Sequence, residues 1–147
     1  MDEAAPPRVD DAVLGDLRAR LRAWRPVSTT GVPGWDRGTD GAWLSDLVAY
    51  WADAYDWRVH EGVIRSLPWT QAGQLRVVHQ RASDPDAAAV VLLHGWPDSI
   101  LRFQRVLPLL SDVHVVAPPL PGYPFAAELP RKDLSSAEMA GPIAETM

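Results

Sequence analysis

Hydrophobic positions recur with a helical period up to about Trp69 and with a strand period beyond it. Between Asp10 and Trp24 the apolar residues Val13, Leu17, Leu21 and Trp24 are separated by Arg18, Arg20 and Arg22. Spacings of four and three predict an amphipathic helix. Asp10 or Asp11 is placed to accept from its first-turn amides, and Pro26 to end it. Val27 to Gly38 is rich in Gly, Ser and Thr and contains Pro33, the composition of a loop. A second helix is predicted from Gly41 to Tyr55, capped by Asp40, with Leu44, Leu47, Val48, Trp51 and Tyr55 along one stripe. A third runs from Trp57 to Leu67, capped by Asp56 and closed by Pro68. The aromatic stripe is expected to pack into a core rather than to face a ligand.

After Trp69 the pattern changes. Leu75 to Gln80 alternates as a strand does, following the turn residue Gly73, and Ser83 to Asp86 forms another turn. Ala87 to Leu93 is an unbroken apolar run, short for a helix and carrying a Val-Val pair, so it predicts a strand buried on both faces of a parallel sheet. Ser99 is placed to cap a helix over Ile100 to Leu110, with Pro108 kinking it or ending it early. Val113 to Ala117 is the next strand. Strand, helix and strand in that order predict the right-handed crossover of a parallel sheet. Pro118 to Pro124 then forms a loop at the carboxyl end of a strand, where ligands bind in open α/β sheets. Leu129 to Asp133 extends that loop, and Ser135 with Glu138 fits a capping box opening a further helix toward Met147. The expected organisation is a helical arm over 1–68 and an α/β core over 69–147.

Composition narrows the chemistry. The chain has 147 residues, enough to bury a core. Its net charge is −5 and its 14 Lys and Arg are dispersed, which argues against nucleic acid as a partner. The absence of cysteine excludes a disulfide scaffold, a thiol nucleophile and a Cys-based zinc site. It also fits a reducing compartment, so a cytoplasmic location is expected. The start, Met1 to Pro7, is acidic and Pro-rich and does not resemble a signal peptide; no run approaches the roughly 20 apolar residues of a membrane helix. No cofactor fingerprint is present, neither a phosphate loop nor a dinucleotide motif, and no Gly-x-Ser-x-Gly elbow. His60, His79, His94 and His114 include no i, i+4 pair, and no metal site is expected. His79 and His114 are read as core or surface histidines.

The chemistry-bearing stretch is His94-Gly-Trp-Pro97, set between the predicted buried strand and the predicted capped helix. Gly95 lets the backbone approach a bound oxygen with no Cβ in the way, while Pro97 fixes its own φ and restricts Trp96. The Trp96 amide is thereby aimed. A pre-aimed N–H at a strand end is what an oxyanion hole requires, and this context is that of the His-Gly loops of α/β-hydrolases. Asp98 beside the turn is read as a helix-start or surface carboxylate rather than a catalytic acid.

Four stretches together resemble the microsomal-type epoxide hydrolases. They are Leu93-His-Gly-Trp-Pro-Asp-Ser99, Pro119-Leu-Pro-Gly-Tyr123, Arg20-Leu-Arg-Ala-Trp-Arg-Pro26, and the Leu47-Val-Ala-Tyr-Trp51 stripe with Tyr55-Asp-Trp57. The resemblance covers nearly the whole chain and implies an α/β-hydrolase in which an aspartate opens the epoxide to an ester. A His–carboxylate pair then activates water, and cap tyrosines protonate the epoxide oxygen. By the same resemblance Trp96 gives its backbone N–H to the oxyanion hole, Gly95 gives clearance, Pro97 sets the turn and His94 braces the loop. The implied partner is a small hydrophobic epoxide; homo-oligomerisation stays open. The family's nucleophile sits in a Gly-x-Asp-x-Gly elbow on a later strand, so the chain is expected to stop before its nucleophile, acid–base pair and cap. Gly34-Trp-Asp-Arg-Gly38 matches the elbow's letters, but Asp36 follows no apolar run and precedes no prompt helix. A second departure is Pro124 with Ala126, where the family reads Gly and then Ser. The competing readings are another α/β-hydrolase chemistry, such as dehalogenation or ester hydrolysis, and a non-catalytic interaction module.

Overall fold

The computed structural model describes residues 4–27, 34–36, 38–127 and 134–146. Its chain forms two compact units, one spanning Pro7–Glu61 and the other Gly62–Met147 together with Met1–Pro6. Of the loop predicted over Val27 to Gly38, residues 28–33 and 37 lie outside the described residues, as does the whole loop extension predicted over 129–133.

The first unit is helical. Helix α1 spans Asp11–Arg22, α2 spans Gly41–Asp53, and α3 starts at Trp57 and runs to Arg65. Asp40 caps α2 as expected, accepting the Trp43 N–H at 2.9 Å, and Asp56 accepts the Arg58 N–H at 2.9 Å at the start of α3. The capping expected of Asp10 or Asp11 is not made. Asp10 occupies the N-cap position without a side-chain bond, and Asp11 pairs instead with Arg58, a guanidinium that outcompetes neutral amides for a carboxylate. Arg58 also bonds the buried Glu61 at 2.6 Å, and Glu61 accepts the Val9 N–H at 2.7 Å. Burial pushes the Glu61 carboxyl up, but the Val9 N–H and the Arg58 guanidinium outweigh it and hold the group below its ordinary range.

The aromatic stripe of α2 does not form the expected core. Leu47, Tyr50 and Trp51 are exposed and, with Val13, Leu17 and Tyr55, line an apolar groove of about 510 Å³. Three short helices have too little interior to bury so many rings.

The second unit is built on a four-stranded sheet ordered β1-β2-β4-β3, with β1 Trp69–Ala72, β2 Leu75–Gln80, β3 Ala89–Val91 and β4 His114–Ala117. Gly73 opens the two-residue β1–β2 hairpin with φ +56°, a conformation that costs glycine little. β2 is antiparallel to β4, and β3 is parallel to β4, as the strand-crossover-strand pattern predicts. Alternation on β2 buries Leu75 and Val77 on one face, against Val116 and Ile143, and Val78 on the other. Ile143 comes from α4, Ser136–Ala144, whose capping box of Ser135 and Glu138 forms as predicted.

Two expectations about the crossover are corrected. The segment Ile100 to Leu110 is not one α-helix but two short 3-10 turns, Ile100–Phe103 and Leu107–Leu109. Pro108 has no N–H to give to the Gln104 carbonyl, and its ring would crowd that carbonyl in an α-helix. Gln80 secures the second turn by donating to the Leu107 and Leu110 carbonyls at 2.8 and 3.1 Å. Ser99 caps the first turn, accepting the Leu101 N–H at 3.3 Å. The apolar run Ala87 to Leu93 is likewise not buried on both faces. Only Ala89–Val91 is regular strand, and it stands last in the sheet order, with Ala89 and Val90 exposed. An apolar run marks a strand but cannot say whether neighbours cover it.

Candidate functional site

The site begins where β3 ends. Leu92 still pairs, donating to the Val116 carbonyl at 2.9 Å, and the chain then leaves the sheet through Leu93 into His94-Gly-Trp-Pro97. The Trp96–Pro97 peptide is cis. Trp96 is 83% exposed, and among the described residues its backbone N–H donates to no protein acceptor. A Cβ built on Gly95 would meet nothing within 4 Å, so the space beside this peptide is open. The carboxylate of Asp98, just after the turn, accepts the Ser99 N–H at 2.8 Å and pairs with Arg102. That N–H and then the guanidinium hold the Asp98 carboxyl below its ordinary range. An acid so engaged is an anion that shapes the turn, not a proton donor.

His94 is buried, 4% exposed, and its ring links two loops. Nε2 accepts the Leu120 N–H at 3.0 Å, so Nδ1 carries the proton of the neutral ring and donates it to the Gly95 carbonyl at 3.0 Å. Tyr123 packs edge-on against the imidazole, with ring centroids 4.9 Å apart. Leu120 and Tyr123 belong to the Pro-rich loop after β4. There the Tyr123 N–H closes onto the Leu120 carbonyl at 3.0 Å, with Pro121 and Gly122 between them and Gly122 at φ +82°. Pro followed by a glycine at positive φ is the signature of a type II turn. A second turn follows at once, from Ala126 N–H to the Tyr123 carbonyl, and it places Phe125 at φ 73°. A bulky residue is strained there, by roughly 1–3 kcal/mol. The Pro124 and Ala126 departure thus keeps a turn, with strain carried by Phe125.

His94, Gly95, Trp96 and Pro97 are together in this turn, and the chain contains nothing comparable at Asp36. Asp36 is exposed in a turn closed by the Gly38 N–H onto the Trp35 carbonyl at 3.3 Å, between glycines at φ +95° and +130°. Sequence reading missed the Leu120 amide, because a backbone partner leaves no residue-type signal. Of the other histidines, His60 stacks on Tyr55, and His114 accepts the Ala82 N–H at 3.1 Å. Burial, then Arg81 and His114, press the His79 pKa down. Among the described residues no group of three or more His, Cys, Asp or Glu is placed to hold a metal ion, and no helix is long and apolar enough to cross a membrane.

Residues 3–103 match the family described as epoxide hydrolase N terminus. The chain belongs to the epoxide hydrolase family. Over 95% of its length it is 34% identical to a Stigmatella aurantiaca protein whose name assigns it to the epoxide hydrolases, covering 35% of that protein. It is 24% identical to epoxide hydrolase 1 of Sus scrofa over 95% of the chain and 36% of the relative. It therefore spans about a third of the length of the curated relatives it matches. The structure superposes on an enantioselective mutant of Aspergillus niger epoxide hydrolase with a TM-score of 0.75 and 26% identity, over 97% of this chain and 43% of that one. The helices and small mixed sheet are thus part of an α/β-hydrolase fold.

Proposed function

We propose that this chain is the N-terminal part of an enzyme that adds water to a small hydrophobic epoxide to give a vicinal diol, and that it carries half of the oxyanion hole. The reaction runs through an aspartyl ester: a carboxylate oxygen attacks an epoxide carbon, the ring C–O bond breaks, and the alkoxide takes a proton. Water then attacks the ester carbonyl, whose oxygen gains negative charge as the tetrahedral intermediate forms. The Trp96 N–H serves that second half. The observation that supports this most is the open, undonated Trp96 amide at the carboxyl end of a parallel strand, in a chain of this family. A donor so placed contributes roughly 3–4 kcal/mol in the transition state. Gly95 keeps the approach clear, and Pro97 and His94 fix the turn. The nucleophile, the acid–base pair and the cap tyrosines are supplied from outside these residues.

Purified 147-residue chain is expected to form no diol from styrene oxide. Steady turnover abolished by Asp36→Ala would overturn the assignment and make the elbow-like Gly34 to Gly38 segment the nucleophile site. Reading the gene past codon 147 gives an independent check, since an in-frame Gly-Gly-Asp-x-Gly downstream is the expected companion of this segment.

A further inference from the structure

We propose that the apolar groove of the helical unit binds an amphipathic carboxylate, a small apolar body ending in one anionic head, with Arg18 receiving the head. The proposal needs no part of the Trp96 turn, since every lining residue lies within Pro7–Glu61. The helical period builds the walls: Leu14, Leu17 and Arg18 fall on one face of α1, and Leu47, Tyr50 and Trp51 on one face of α2. Tyr55 and Trp57, where α2 gives way to α3, complete them. At about 510 Å³ the groove has the size of a small-molecule site.

Two features of the lining choose the ligand. Arg18 is the only charged residue in it, and no carboxylate lines the groove. Arg8, Arg20, Arg22 and Arg58 each pair with an acid of the same unit, whereas Arg18 makes no hydrogen bond or ion pair among the described residues. Its pull on the Asp11 carboxyl comes after those of Arg58 and Arg8. Walls of Trp and Tyr also suit an organic cation. A guanidinium among them, with no acid to offset it, repels one. The second feature is a pair of phenols. Tyr50 and Tyr55 stand edge to face with ring centroids 6.3 Å apart, and neither hydroxyl has a hydrogen-bond partner among the described residues. Burial, and then Tyr50, push the Tyr55 pKa up, so its hydroxyl keeps its proton at neutral pH and can donate. The lining thus offers two phenolic donors and one guanidinium with no anion of its own, beside apolar surface at Leu47 and Trp51 that water now touches. A carboxylate satisfies the donors, and the body behind it covers the apolar surface.

The test is nitrogen-15 NMR of the 147-residue chain titrated with decanoate below its micelle concentration, and with decanol and decylamine as the neutral and cationic counterparts. Decanoate is expected to shift the Trp51 and Trp57 indole resonances saturably. Its affinity is expected to exceed that of decanol by roughly five- to tenfold, with decylamine weakest. Arg18→Gln, at an exposed position on α1, is expected to abolish that preference and leave decanol binding unchanged. Arg20→Gln, whose side chain pairs with Asp16 outside the groove, is expected to keep it. Shifts that do not saturate or that scatter over the surface, equal affinity for the three probes, or an unaltered preference in Arg18→Gln would overturn the proposal. So would indole shifts that follow protein concentration alone, since the occupant would then be a second copy of the chain. If a variant does not fold, the ranking of the three probes on the unaltered chain decides.

Discussion

The helical unit and the sheet unit use the same apolar residue types to different ends. In Pro7–Glu61, Ala52 and Glu61 are the buried positions among the described residues, while Trp43, Leu47, Tyr50 and Trp51 stay exposed. In the other unit Leu75, Val77, Val78, Ile100 and Val115 are almost wholly buried. So small a helical unit has a high surface-to-volume ratio and relies on caps and on the Glu61 cluster for definition. The sheet buries residues from both faces of β2 and β4, so its stability comes from packing. The difference teaches that periodicity announces an element's type, whereas burial depends on what the fold brings to it.

Matched truncations test this contrast most strongly. Ile100→Ala, at a position 1% exposed, is expected to cost about 2–5 kcal/mol in urea unfolding. Leu17→Ala, in the half-exposed groove wall, is expected to cost about 1 kcal/mol or less. Equal costs would erase the distinction between the units. The next effect concerns Glu61, whose folded pKa lies below its ordinary value of 4.5. Its contribution is complete above that value and is lost as pH falls through the folded pKa, so the helical unit should loosen in acid. Glu61→Gln, which leaves the Arg58 guanidinium only the exposed Asp11 carboxylate, is expected to cost about 1.5–3 kcal/mol near neutral pH and to flatten this acid dependence. Helical circular dichroism followed against pH in both forms checks it; identical profiles would remove Glu61 from the account. The smallest effect is at Trp96, where Trp96→Ala keeps the backbone N–H and removes an 83% exposed ring, so stability should change by no more than about 0.5 kcal/mol. A larger loss in a thermal melt would mean that the indole packs.

Much of this was legible in the chain. Asp40 and Ser135 announced their helices because a capping side chain acts within three residues of itself, and Gly73 and Leu75 to Gln80 announced a turn and a strand by the same local logic. The Trp96 turn was legible because glycine and proline constrain backbone wherever they stand. What escaped depended on distant partners. Arg58 claimed Asp11 from a different helix, and Gln80, far away along the chain, secures the second of the 3-10 turns that replace the crossover helix. The bond from the Leu120 amide to His94 joins positions 26 apart and involves no distinctive residue type.

The central claim is that the Trp96 N–H stabilises charge in ester hydrolysis and not in epoxide opening. The most direct measurement is rapid-quench kinetics on the enzyme read from the whole gene, with tryptophan at 96 replaced by its α-hydroxy acid so that an ester oxygen stands where the N–H was. Hydrolysis of the alkyl-enzyme ester is expected to slow by roughly 10²–10³-fold while its formation is nearly unchanged. Equal slowing of both steps, or of neither, would contradict the account.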